Sequence, residues 1–119
     1  MCSSDLLPAE IGVAGVDSAL TAADGLLLDA RTAEDYAAGH IPGALNLPAE
    51  KFDAAYPALK DTLESAPRLI TYCDGGDCEL SKQLGEVLKG QGFKRVQLFA
   101  GGINAWIEAE KPLREGKEP

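Results

Sequence analysis

The clearest structural signal in this chain is the segment Leu69-Ile70-Thr71-Tyr72-Cys73-Asp74-Gly75-Gly76-Asp77-Cys78-Glu79-Leu80-Ser81. An apolar, β-branched run precedes a glycine-bearing loop and a helical pattern, so we predict a strand ending at Tyr72 and a helix beginning near Leu80. Such a loop points successive backbone N–H groups toward its centre, where they stabilise an anion. Cys73 opens the loop, and its thiolate is the nucleophilic form of cysteine. The stretch therefore predicts reactive sulfur chemistry at Cys73.

The alternative is that Cys73 is a packing residue, because cysteine is among the most buried residue types. The two glycines and the second cysteine that follow it favour the reactive interpretation, since a packing cysteine needs neither. We expect the anion cradle to consist of the backbone N–H groups of the loop, Asp74, Gly75, Gly76, Asp77, Cys78 and Glu79. The three carboxylates in this set oppose a thiolate unless their side chains point to solvent.

Length, composition and charge bound the remaining possibilities. The chain has 119 residues, of which 45% are hydrophobic, so it can bury a core as one domain. Nineteen acidic residues against 11 basic ones give a net charge of −8, which disfavours nucleic acid and anionic membranes as partners. We find no apolar run near the roughly 18 residues that a membrane span needs. The sequence indicates no oligomeric state.

The three cysteines do not form a disulfide framework. Only His40 accompanies the Cys73/Cys78 pair as a strong metal ligand, so we expect neither a metal site nor an organic cofactor.

We expect a cytoplasmic protein. An exported or lipoprotein-anchored protein is the alternative if Cys2 follows a removed signal sequence.

Outward from the cysteine loop, apolar strand patterns alternate with helical ones. We predict strands at Leu26 to Ala30, Ala44 to Leu47, Arg68 to Tyr72 and Arg95 to Phe99. We predict helices at residues 16–23 and 80–90, a helical turn capped by Thr32, and two short helical pieces within residues 51–63 that Pro57 divides. A last helix follows Gly102 and should carry Ile103, Trp106 and Ile107 toward the core. This alternation predicts an α/β domain with a mainly parallel sheet.

We place the domain at residues 8–113, between an N-terminal extension of residues 1–7 and a flexible charged tail of residues 114–119. Reactive groups in parallel sheets gather beyond the carboxyl ends of the strands. Cys73 follows one predicted strand, Asp29 and Arg31 end another, and Gly101-Gly102 follows a third. We therefore expect three loops to surround one pocket.

Four motifs in order resemble the rhodanese family. They are Asp29-Ala30-Arg31 with Glu34-Asp35-Tyr36, Gly39-His40-Ile41-Pro42-Gly43-Ala44-Leu45-Asn46-Leu47-Pro48, Tyr72-Cys73 with its loop, and Gly101-Gly102-Ile103-Asn104-Ala105-Trp106. The resemblance implies a five-stranded, mostly parallel sheet flanked by helices on both faces. It implies sulfur transfer through a persulfide on Cys73, from thiosulfate or a small persulfide donor to a thiol, cyanide or a protein acceptor. Within this resemblance we interpret Asp29, Arg31 and His40 as structural support.

The loop departs from the common rhodanese pattern at Cys78, where arginine is usual. An enlarged loop also resembles that of dual-specificity phosphatases and arsenate reductases, but Tyr72 replaces their histidine and Glu79 their arginine. A glutamate there repels an oxyanion, which argues against both activities. Cys78 could attack a Cys73 persulfide and leave a disulfide, or it could be a small apolar anchor. A thiol–disulfide redox protein and a non-catalytic binding or sulfur-relay module remain the rival functions.

Overall fold

A computed structural model describes residues 9–75 and 79–116 of the chain. In chain order its strands are β1 (Ala9–Glu10), β2 (Leu26–Asp29), β3 (Leu45–Asn46), β4 (Leu69–Tyr72) and β5 (Val96–Phe99). Its α-helices are α1 (Val13–Ala22), α2 (Ala33–Ala38), α3 (Phe52–Ser65), α4 (Leu80–Gly90) and α5 (Gly102–Glu108), with a 3₁₀ turn at Ala49–Lys51. Strands and helices alternate as predicted.

The strands form one sheet in the order β1-β5-β4-β2-β3. Every strand pairing is parallel. The α/β class and the five-stranded parallel sheet are therefore confirmed. The short strand β1 was not located from the sequence, because two residues carry no periodicity and only their pairing with β5 defines them.

Two hydrophobic clusters cover the two faces of the sheet, because side chains alternate between faces along each strand. The first packs α1, α2 and α5 on the sheet through side chains that include Val16, Tyr36 and Trp106. The second packs α3 and α4 on the opposite face through side chains that include Leu63 and Leu84. Helices therefore cover both faces of the sheet, as predicted. The ends of the strands are the parts of the sheet that the helices do not cover.

The predicted break at Pro57 is wrong, because α3 continues through this residue as one helix of 14 residues. Proline removes one backbone donor, whose helical partner would be the carbonyl of Asp53 four residues earlier. Both Pro57 and Asp53 are exposed, so water can serve that carbonyl. Burial of Phe52 and Leu63 on the inner side of α3 holds the helix in place.

The expectation that Ile107 faces the core is also wrong, since 48% of this residue is exposed. The buried side chains of α5 are Ile103 and Trp106, and Ile107 lies at the edge of that stripe. Trp106 is 2% exposed, and its Nε1 donates to the carbonyl of Pro112 at 2.6 Å. Trp106 is therefore a core residue.

The segment after α5 returns to the turn that contains His40. Backbone hydrogen bonds of 2.8 Å join Arg114 and His40 in both directions, and the N–H of Gly116 donates to the carbonyl of Ala37 at 2.8 Å. Arg114 and Gly116 thus contact the domain, although residues 114–119 were predicted to be a flexible tail. The proposed domain boundaries stay predictions. Within the described residues, no helix is both long and apolar enough to cross a membrane.

Candidate active site

The parallel register brings the ends of four strands into one row at the carboxyl edge of the sheet. Asp29 on β2 pairs with Asn46 on β3 and with Tyr72 on β4. Tyr72 also pairs with Phe99 on β5. Cys73 therefore leaves the sheet in the middle of this row, between the loops that follow β2 and β5.

Cys73 is buried, with 1% of its surface exposed. Its Sγ lies 3.2 Å from Oγ of Ser81, the second residue of α4. The Oγ1 of Thr71 donates to the carbonyl of Ser81 at 2.9 Å, so the strand and the first turn of α4 are joined beside the sulfur. Ser81 is itself buried, and its hydroxyl is a donor that a Cys73 thiolate could accept from.

Cys73 is disulfide-bonded in this structure. A disulfide sulfur is not a nucleophile, so Cys73 acts as one only after reduction. Three residues of the predicted cradle, Gly76, Asp77 and Cys78, lie outside the described residues. The resolving role of Cys78 therefore stays a prediction.

The first turn of α5 holds the start of the cysteine loop. The N–H of Ile103 donates to the carbonyl of Cys73 at 2.9 Å, and the N–H of Asn104 donates to that of Asp74 at 3.0 Å. In a trans peptide the C=O and the following N–H point in opposite directions. The N–H groups of Asp74 and Gly75 therefore point away from α5, as an anion cradle on the other side of the loop requires.

Two glycines permit this close approach. Gly102 has φ +61°, and a Cβ there would overlap the carbonyl oxygen of Cys73. Gly75 has φ +113°, and a Cβ there would overlap the carbonyl oxygen of Gly101. Any other residue at either position would push the cysteine loop away from α5. The expectation that the Gly101-Gly102 loop lies beside Cys73 agrees with these contacts.

A buried ion pair supports the loop from the side of β2. Arg31 Nη2 lies 2.7 Å from Asp29 Oδ2, and the Nε and backbone N–H of Arg31 donate to Asp29 Oδ1 at 3.0 and 2.8 Å. Arg31 Nη2 also donates to the carbonyl of Gly39 at 2.6 Å. Burial lowers the pKa of Arg31, but the hydrogen bonds and charge of Asp29 outweigh it and raise that pKa above its ordinary value. Arg31 is therefore a permanent cation.

Tyr72 connects this ion pair to the turn after α2. Its hydroxyl accepts a hydrogen bond from the N–H of Ile41 at 3.1 Å and contacts Asp29. Burial raises the pKa of Tyr72 well above its ordinary value, and the charge of Asp29 raises it further. Tyr72 is therefore a neutral phenol that contributes hydrogen bonds rather than charge.

Two acids of the loop face solvent. Asp74 Oδ1 lies 3.5 Å from Arg31 Nη1, and the Asp74 side chain is 58% exposed. Glu79, at the other end of the loop, is also exposed. For these two residues, the side chains have the outward orientation that a stabilised thiolate needs.

His40 lies in the turn and belongs to a separate set of contacts. Its Nδ1 is 2.8 Å from the carbonyl oxygen of Tyr36, and its ring stacks on the Tyr36 ring with centroids 3.8 Å apart. Its buried Nε2 has no hydrogen-bond partner among the described residues. These contacts join the turn to α2, so we continue to place His40 with the structural support, together with Asp29 and Arg31.

Two parts of the site were missed from the sequence. Ser81 follows Cys73 by eight positions, outside the loop itself, but it shares the buried face of α4 with Leu84 and Leu88. That helical spacing could have identified it as a residue facing β4. The backbone N–H groups of Ile103 and Asn104 leave no trace in a sequence pattern.

Among the described residues, no group of three or more His, Cys, Asp and Glu side chains could hold a metal ion.

Residues 14–109 match the family described as the rhodanese-like domain. The chain belongs to this family. One relative is the thiosulfate:glutathione sulfurtransferase of Homo sapiens, which is 33% identical over 104 residues, covering 78% of this chain and 88% of the relative. Another is the tRNA uridine(34) hydroxylase of Cronobacter sakazakii, 30% identical over 105 residues. That match covers 86% of this chain but only 28% of the hydroxylase, so this chain spans less than a third of that relative.

Solved structures share the rhodanese-like fold of this chain. A protein from Bacillus halodurans superposes with a TM-score of 0.80 at 25% identity, covering 92% of this chain and 78% of its own. The thiosulfate sulfurtransferase of Pseudomonas aeruginosa gives a TM-score of 0.71 at 24% identity, covering 93% of this chain and 21% of its own. The family therefore includes sulfurtransferases and also domains within larger enzymes of other named activities.

Proposed function

We propose that this rhodanese-like protein is a sulfurtransferase that carries sulfur as a persulfide on Cys73. The observation that supports this most is the position of Cys73 at the carboxyl end of β4. Its following peptide units are turned by α5 so that their N–H groups point away from that helix. The Ser81 hydroxyl, 3.2 Å from the sulfur, adds a donor from the side of α4. Both features support the proposal, since hydrogen-bond donors near reduced Cys73 would stabilise its thiolate.

The reaction has two displacement steps. The Cys73 thiolate attacks the outer sulfur of thiosulfate and releases sulfite, or attacks the sulfane sulfur of a small persulfide and releases a thiolate. An acceptor thiolate then attacks the terminal sulfur of the Cys73 persulfide, which returns Cys73 as a thiolate and yields the acceptor persulfide. Cyanide as acceptor yields thiocyanate. A protein thiol could accept the sulfur by the same step.

Intact mass spectrometry tests the proposal. The protein is first reduced, freed of reductant, and then incubated with thiosulfate, polysulfide or glutathione persulfide. We expect a gain of about 32 Da, which cyanide removes, with a Cys73→Ser variant that folds normally but gains nothing. A Cys2→Ser variant is the matched control and should gain the same mass as the wild type. Persistent sulfur transfer by Cys73→Ser would place the carrier elsewhere.

A second candidate function is thiol–disulfide redox chemistry with Cys78 as the resolving thiol. The disulfide-bonded state of Cys73 favours it. In this case Cys73 and Cys78 act as a dithiol–disulfide pair without carrying sulfane sulfur, and an external dithiol reduces the pair after each oxidation. A loss of two hydrogens without sulfur gain would favour the redox protein. No change of mass with any donor would favour a non-catalytic binding or sulfur-relay module.

A further inference from the structure

Asp74, the residue after Cys73, carries a negative charge that the described residues around it do not fully cancel. We propose that Asp74 sets the charge preference of the active site, so that it favours sulfur donors and acceptors with a nearby ammonium or guanidinium group over those with a carboxylate or sulfonate. This inference rests on the proposed function, since it names the class of thiol that Cys73 would exchange sulfur with.

Arg31 forms ion pairs with both Asp29 and Asp74, and the pair with Asp74 is the weaker of the two. Arg31 contacts Asp29 through three side-chain distances of 2.7 to 3.1 Å, and both of these residues are buried. Arg31 reaches Asp74 at 3.5 Å, and the Asp74 side chain is 58% exposed. One cation therefore serves two carboxylates, and the three groups together keep a charge of −1.

The backbone of Asp74 is fixed. Its carbonyl accepts from the N–H of Asn104 at 3.0 Å, and the carbonyl of Cys73 accepts from Ile103 at 2.9 Å. Asp74 therefore follows Cys73 directly on a held segment, and its carboxylate is exposed to solvent. The exposed Glu79 adds charge of the same sign at the other end of the loop. An approaching cation is attracted at this position and an anion is repelled.

The chain offers a closely matched control. Asp24 pairs with Arg68 at 3.0 Å, and its side chain is 54% exposed. It lies just before β2, at the opposite end of the sheet from Cys73. Asp24→Asn therefore makes the same change of total charge as Asp74→Asn, and it removes a comparable ion pair away from the site.

The first measurement does not depend on sulfur transfer. Reduced protein carrying Cys78→Ser as a common background reacts with either 2-aminoethyl or 2-sulfonatoethyl methanethiosulfonate, and mass spectrometry of the Cys73 peptide gives both rates. At low salt, Asp74→Asn should lower the ratio of cationic to anionic rate at least about threefold, while Asp24→Asn and Asp74→Glu keep it. Added salt should shrink the difference. The proposal is overturned if Asp74→Asn leaves the ratio of cationic to anionic rate unchanged, or if Asp24→Asn changes this ratio by the same factor.

The second measurement follows the persulfide itself. Wild-type protein loaded with sulfur is mixed with cysteamine or 3-mercaptopropionate, and its return to the unloaded mass is timed. Asp74→Asn should reduce the preference for cysteamine by a similar factor, and an unchanged preference counts against the proposal. If no variant forms a persulfide but the reagent ratio changes as expected, the sulfurtransferase proposal fails and the charge preference of Asp74 stands.

Discussion

Each end of the sheet holds an aspartate paired with an arginine, but the two pairs differ in their exposure to water. At the amino end, Arg68 contacts Asp24 at 3.0 Å and Gln97 at 2.8 Å, with side chains of Arg68 and Asp24 that are 27% and 54% exposed. At the carboxyl end, the Arg31 and Asp29 side chains are 7% and 0% exposed. Water can replace the partner of an exposed charge but not of a buried one. Loss of the pair at the carboxyl end should therefore destabilise the fold more than loss of the pair at the amino end.

We expect the greatest difference in stability between variants of the two arginines. Arg31→Ala leaves Asp29 buried without its partner and should lower the free energy of unfolding by about 3–5 kcal/mol. Arg68→Ala removes a partly solvated ion pair and should cost about 1 kcal/mol or less. Urea unfolding followed by circular dichroism measures both values. Similar losses for the two variants would mean that burial of the Arg31 pair does not govern its contribution to stability.

We expect the next greatest difference, in sulfur transfer, between variants of two glycines with positive φ. Gly102→Ala introduces strain of roughly 1–3 kcal/mol and a Cβ that overlaps the Cys73 carbonyl, so sulfur transfer should fall at least about tenfold. Gly92, in the loop before β5, has φ +107°, but a Cβ there would meet no described atom within 4 Å. Gly92→Ala should therefore cost about 1 kcal/mol of stability and leave sulfur transfer unchanged. Thermal unfolding and thiocyanate formation distinguish the two, and equal activities would argue against the contact with α5.

Tyr72 gives the carboxyl end a sensitivity to high pH. Because the pKa of Tyr72 is raised in the folded protein, its stabilising contribution is complete below the unfolded value of about 10. Above that pH the unfolded chain releases the proton while the folded chain keeps it, so stability falls by up to about 1.4 kcal/mol per pH unit. Tyr72→Phe should be less stable at pH 7 by about 1–2 kcal/mol, because Ile41 N–H and Asp29 lose a partner. Urea titrations between pH 7 and 11 should show a shallower decline for Tyr72→Phe, and identical slopes would contradict this account.

The smallest expected effect concerns two serine hydroxyls. Ser81→Ala should raise the pKa of reduced Cys73, because one hydrogen bond to the thiolate is lost. Ser65 lies at the end of α3, near the amino end of β4, and its hydroxyl donates to the Asp61 carbonyl at 3.0 Å. Ser65→Ala should leave that pKa unchanged. The pH dependence of iodoacetamide alkylation at Cys73 gives both values, and an unchanged pKa in Ser81→Ala would exclude the hydroxyl as a thiolate donor.

The sequence predicted the elements around the site better than the contacts within it. Strands β2, β4 and β5 and the glycines after them follow from apolar runs and turn residues, which are local signals. Strand β1 and the exposed position of Ile107 depend on pairing and packing between distant segments. The helix through Pro57 depends on the solvent exposure of one carbonyl. The Ser81 contact to Cys73 and the shared guanidinium of Arg31 depend on where whole elements meet, which one chain's pattern does not encode.

The shortness of the outer strands has a consequence for how molecules of this protein meet at high concentration. Strands β1 and β3 form the two margins of the sheet and contain two residues each. A long bare margin lets a foreign strand add to a sheet and begin ordered fibres. Among the described residues, each margin gives such a strand only two residues to align with, and a net charge of −8 adds repulsion between copies. Both features disfavour backbone pairing between folded copies at these two described margins.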